Sequence, residues 1–149
     1  MPLPESRRGL LPAFLTLAAL VPLVHASVFE AGNDVSRFAT IESLVDHGTG
    51  AIGASRYHWT VDRVTIDGRD YSNKPPLLSL LGAGAYWVLE HAAGLTFADD
   101  EPAVVWALTF LFAALPTAML VGLFHRSMLR RWGPRGTAPG LLALVTAAL

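Results

Sequence analysis

Two long stretches without a formal charge limit what this chain can fold into. Residues 9–29 run for 21 positions, interrupted in their apolar character only by Pro12, Thr16, Pro22, His25 and Ser27. Residues 103–124 supply a second run of 22. As a helix rising 1.5 Å per residue, either run covers about 30 Å, the thickness of a bilayer's hydrocarbon core. Composition agrees: 52% of residues are hydrophobic, only 15% are charged, and the mean hydropathy is +0.43. The 149 residues therefore read as an all-α integral membrane protein with one polar segment, and not as a soluble domain.

The charges orient this arrangement. Eleven of the twelve acids lie between Glu30 and Glu101, whereas Arg126, Arg130, Arg131 and Arg135 crowd one short stretch. Basic loops stay on the cytoplasmic side. The sequence thus predicts a cytoplasmic N-terminus at 1–8 with Arg7 and Arg8, a first span at 9–29 and an extracytoplasmic loop at 30–101. A second span follows at 102–124, then a cytoplasmic basic loop at 125–137. Residues 138–149 begin a third apolar run, so the chain reads as the front part of a larger multi-span fold in the cell membrane. A cleaved export signal is the alternative for 9–29, because Ser6-Arg7-Arg8-Gly9-Leu10-Leu11 has a twin-arginine look and Val24-His25-Ala26 resembles a cleavage site. Either reading exports the loop. No basic face with interleaved aromatics suggests nucleic acid, and the absence of cysteine excludes thiolate chemistry and disulfides.

Within the loop, Asn33-Asp34 precede a helical pattern. Phe38, Ile41, Leu44 and Val45 share one face, Arg37, Glu42 and Asp46 the other, and His47-Gly48 supply a stop. A short amphipathic helix of this kind is expected to lie in the membrane interface. Residues 57–66 alternate, and Asp67-Gly68 is a type I′ hairpin signal leading to Tyr71. Two prolines follow the chain's single lysine. They press Asn73 and Lys74 into an extended backbone and let Pro76 open a helix. Leu77 to Leu89 is too short to span and reads as an interfacial helix, with Tyr57, His58, Trp59, Tyr86 and Trp87 as an aromatic belt. Asp99-Asp100-Glu101 reads as a helix-start cap, with Pro102 at the first helical position.

Two blocks carry a likeness to a known family. Asn33-Asp34-x-Ser36-Arg37-Phe38-Ala39-x-Ile41, and Asp67-Gly68-x-x-Tyr71-x-x-Lys74-Pro75-Pro76-Leu77 after it, resemble the N-terminal part of GT-C-type membrane glycosyltransferases. The branch most resembled is that of protein O-mannosyltransferases and aminoarabinose transferases. The resemblance covers about residues 10–131 and implies a polyprenyl-phosphate sugar donor, a lipid or protein acceptor, and transfer at the outer face of the membrane. It implies that Asp34 is the acid near the reacting sugar and that Lys74 contacts the lipid phosphate. Arg37 and Tyr71, in the same blocks, become further substrate contacts. Asn33 and Asn73 stand where relatives commonly carry acids.

These residue types suit that chemistry. Glycosyl transfer to a hydroxyl needs a base for the acceptor proton, which a carboxylate can provide. The departing phosphate needs a cation, a point charge from Lys74 or a fork from Arg37. A single carboxylate acting in one displacement predicts inversion. No cofactor is expected. The five histidines form no i, i+4 pair, so no zinc site is expected; the residues leave room for a divalent metal but do not indicate one. The competing reading is a non-catalytic membrane interaction or assembly protein, in which Asp34 is a helix-start acid and Lys74 reaches up to headgroups.

Overall fold

The structure is a computed structural model and describes residues 10–24 and 32–132. The described chain is mostly helical, with one small hairpin. It divides into two compact units, one built from residues 10–24 and 109–132, the other from 32–108.

In the first unit, α1 (Leu10–Leu20) continues into a 3₁₀ turn at Val21–Leu23 and packs along α5 (Leu115–Trp132). The positions buried here are small: Ala114, Ala118 and Gly122 recur every four residues and allow close helix approach. A π-helical stretch, Phe110–Ala114, immediately precedes α5. Pro116 explains it, since its ring cannot donate to the preceding turn and the widened stretch absorbs the misfit. Gly9 and residues 25–29 of the expected first span lie outside the described residues, as do residues 1–8, 133–137 and 138–149. The expected basic loop is helix as far as it is described, because α5 runs to Trp132 and carries Arg126, Arg130 and Arg131. No glycine or proline lies between Leu123 and Trp132, and arginine is a good helix former.

In the second unit, α2 (Gly32–Asp46) is the central element, followed by a 3₁₀ turn at Ile52–Ala54. Val35, Ser36, Ala39, Ile41, Glu42 and Ser43 are all buried, so α2 is covered over much more than one stripe. Glu42, expected to face away from the core, is 5% exposed. Strands β1 (Arg63–Ile66) and β2 (Arg69–Ser72) pair antiparallel, with Arg63 opposite Ser72 and Ile66 opposite Arg69. Asp67 and Gly68 both have positive φ, 50° and 74°, as a type I′ turn requires. Tyr57, His58 and Trp59 lie in turns before β1 rather than on it.

Helix α3 (Pro76–Ala93) begins at the second proline. It is five residues longer than its apolar run, because Glu90 and His91 continue it until Gly94 closes it in the left-handed conformation. Its inner face packs on α2, with Gly82 against Ile41. Its outer face exposes Leu77, Leu80, Leu81, Trp87 and Val88.

Helix α4 (Phe97–Thr109) starts earlier than expected. Thr96 caps it, its Oγ1 accepting from the Asp99 N–H at 3.1 Å, while Asp99 and Asp100 occupy the first turn. The axis breaks at Asp100 (φ −125°, ψ 32°), two residues before Pro102. The proline therefore sits in the first turn after the break, where it does least harm. Phe97–Arg131 is 35 residues of helix and, among the described residues, the one helix long and apolar enough to cross a membrane.

The core of this unit is aromatic. Phe97 meets Tyr86 at 4.5 Å, Tyr57 at 5.7 Å and Phe38 at 6.0 Å between ring centroids. Tyr57 and Tyr86 are therefore core residues and not part of an exposed belt, whereas Trp59 and Trp87 are exposed.

Candidate functional site

The hairpin places its open end against the first turns of α2. With Ile66 opposite Arg69 and Arg63 opposite Ser72, the ladder continues one step to Asp62 and Asn73, whose N–H donates to the Asp62 carbonyl at 3.3 Å. Ser36 of α2, fully buried, donates its hydroxyl to the same carbonyl at 2.6 Å. The Ser36 and Ser72 oxygens are also 2.6 Å apart. Each hydroxyl has one proton. Since Ser36 spends its proton on Asp62, Ser72 donates to Ser36, and the Ser72 oxygen accepts the Lys74 N–H at 3.2 Å. The order of donation is fixed: Lys74 backbone, Ser72, Ser36, Asp62 carbonyl.

The Lys74 side chain returns to the same place. Its Nζ lies 3.0 Å from Asp62 Oδ2, and the two side chains are 19% and 25% exposed. Asp34 sits in the first turn of α2, where a carboxylate favours the helix start. It is exposed and pairs with Arg37 Nη1 at 3.7 Å. The Arg37 guanidinium also reaches the Asn33 carbonyl at 3.5 Å, and its Nε is buried without a partner. Tyr71 is half-buried on β2 opposite Val64, and strand alternation turns it to the face away from Ser72.

The four residues singled out from sequence are thus not in one contact. Ser36, two positions after Asp34, touches Ser72, two positions before Lys74, so the two segments meet. Among the described ion pairs, however, Asp34 pairs with Arg37 and Lys74 with Asp62. Sequence reasoning missed Asp62, Ser36 and Ser72. The signal for Asp62 was there: counting outward from a two-residue turn at Asp67-Gly68 puts it opposite Asn73.

A second polar cluster lies deeper. Glu42 accepts from the Ser55 hydroxyl at 2.5 Å and from Arg56 through its backbone N–H at 2.9 Å and its Nε at 3.1 Å. Arg56 Nη1 reaches Glu101 at 3.6 Å, and Glu101 accepts the Tyr57 hydroxyl at 2.8 Å. Burial first, then the bond to and charge of Glu101, push the Tyr57 phenol well above its usual value. Burial likewise pushes Tyr86 up to about 12, partly offset by the Phe97 N–H that its oxygen accepts. The Tyr86 hydroxyl donates to Asp46 at 3.2 Å. Every charge here has a partner, which marks the cluster as structural. No group of three or more metal-ligating side chains occurs among the described residues.

No family model, curated protein or solved structure matches the chain.

Proposed function

We propose that this chain supplies the first external loop and flanking helices of a membrane glycosyltransferase that takes a sugar from a polyprenyl-phosphate donor. The sugar would pass to a lipid or protein acceptor at the outer face of the membrane. The observation that carries the reading is the Ser36–Ser72 hydroxyl contact at 2.6 Å. It joins the turn of α2 bearing Asp34 and Arg37 to the strand end bearing Lys74. Asp34, exposed, is the base or acceptor-orienting group, and Lys74 with Arg37 contacts the lipid phosphate.

The membrane setting is supported by apolar surface. Leu77, Leu80, Leu81, Trp87 and Val88 of α3, and, in the other unit, Met119, Leu120, Leu123 and Phe124 of α5, are exposed, and so much apolar surface on a single helix is costly in water. Lipid removes that cost, and the 35-residue helix Phe97–Arg131 is long enough to span.

The test is binding of the full chain to phosphatidylcholine vesicles with and without polyprenyl phosphate. Wild type should prefer the doped vesicles and Lys74→Ala should lose that preference; equal binding by both proteins would defeat the reading. The second reading, a non-catalytic interaction or assembly protein, is favoured by the internal pairing of Asp34 with Arg37 and of Lys74 with Asp62. It predicts no response to polyprenyl phosphate at all.

A further inference from the structure

Lys74 is the only lysine in the chain, and its ammonium is already engaged by Asp62 at 3.0 Å in a mostly buried pair. A phosphate approaching this ammonium meets a carboxylate in contact with the same charge. We propose that Asp62 is a built-in competitor for Lys74, a counter-ion that holds the ammonium and loosens its grip on a phosphate headgroup. The inference rests on the reading of Lys74 as a phosphate contact.

Charge sets the sign of the effect and distance its size. Coulomb energies fall as 1/r, so a phosphate oxygen about 3 Å from Nζ and about 6 Å from the Asp62 carboxylate has about half of its attraction cancelled. The backbone of residue 62 does not depend on the carboxylate. Its carbonyl is held by the Ser36 hydroxyl and the Asn73 N–H, and both bonds survive a change of side chain. Asp62→Asn therefore removes charge while leaving the clamp. A purely structural Asp62 predicts weaker phosphate binding when altered; a competitor predicts tighter binding. The pair also has a physical rationale, since a partly buried ammonium without a counter-ion is costly until its ligand arrives.

The experiment measures affinity of the full chain for phosphatidylcholine vesicles doped with polyprenyl phosphate, and in a second arm for inorganic phosphate alone. Asp62→Asn should bind about fivefold more tightly than wild type, and Asp62→Ala, which also keeps the carbonyl clamp, should shift in the same direction. Tightening in both arms supports competition for any phosphate; tightening only on doped vesicles supports it for the lipid-borne one. Asp67→Asn, at the exposed turn where asparagine tolerates positive φ, is the control for bulk charge, and an equal gain there would overturn the proposal. Unchanged or weaker binding in both Asp62 variants would overturn it too, as would loss of the helical circular dichroism signal in both. If Lys74→Ala binds like wild type, the phosphate reading itself fails. If Lys74→Ala is defective while Asp62→Asn is unchanged, only the competition fails.

Discussion

Gly82 of α3 lies so close to Ile41 of α2 that a Cβ added there would stand 2.5 Å from Ile41 Cδ1 and 3.1 Å from Cγ1. The two helices meet here so closely that nothing larger than a hydrogen atom fits without Ile41 shifting. Gly82→Ala should therefore cost about 1 kcal/mol despite alanine's better helix propensity, and Gly82→Leu about 3 kcal/mol. Ile41→Val removes the clashing Cδ1, so the double variant Gly82→Ala/Ile41→Val should recover most of the alanine loss. Denaturant unfolding followed by circular dichroism measures all three.

Glu42 is the most consequential buried charge. Removing its carboxylate strands the Ser55 hydroxyl, the Arg56 N–H and one side of the Arg56 guanidinium. Glu42→Ala should destabilise the chain by about 3 kcal/mol, the scale of breaking a buried pair from one side. Glu42→Gln keeps an acceptor for Ser55 and should cost less. Chemical denaturation should rank them in that order.

Asp46 gives a pH dependence. The residue is exposed overall, yet the carboxyl facing Tyr86 loses water. That burial raises it above its ordinary 3.8, with Glu42 and Glu90 pushing the same way and the Tyr86 hydroxyl and His47 opposing. A raised carboxyl binds its proton more tightly in the fold than in the unfolded chain. Its contribution is fully present below 3.8 and is lost as pH climbs through the raised value. Asp46→Asn, whose amide oxygen can still accept from Tyr86, should flatten that part of a melting-temperature profile. A profile parallel to wild type across the acid range would contradict this.

Ser36→Ala tests the hydroxyl relay. It leaves the Asp62 carbonyl with the Asn73 N–H alone and gives the Ser72 hydroxyl no acceptor at Ser36. The expected loss is about 1–2 kcal/mol, together with faster hydrogen exchange at the Lys74 amide, which donates into the relay. Exchange at the helical amides of α5, in the other compact unit, should be unaffected.

Local patterns carried far in this chain, and long-range partners did not. The hairpin was legible because Asp67-Gly68 names its turn and the turn names the register. Helix α2 was legible from its periodicity and α3 from Pro76. The burial of Glu42 is invisible to periodicity, which records only that a residue is polar. Its burial depends on Ser55, Arg56 and Glu101, up to 59 positions away. Tyr57 and Tyr86 look like surface aromatics in the sequence for the same reason, since nothing near them in the chain reveals Phe97 between them. The acids Asp99 and Asp100 mark the break ahead of Pro102, but the first turn of α4 begins three residues before Asp99, at the Thr96 cap, which no acid announces. At the candidate site, Asp34, Arg37 and Lys74 were visible as residue types, but their ion-pair partners were only partly visible. Arg37 follows Asp34 by three positions on one helix, whereas Asp62 reaches Lys74 only through the folded hairpin.

The reverse turn at Asp67-Gly68 acts on this site like a ruler with one marked length. It lies six residues before Lys74 in the chain, yet it decides which side of β2 looks at the helix. One residue added to that bend, with the pairing shifted to suit, would swap Ser72 for a neighbour and carry the lysine half a pleat out of place. The same amino acids would remain, and the meeting of the two segments would be gone.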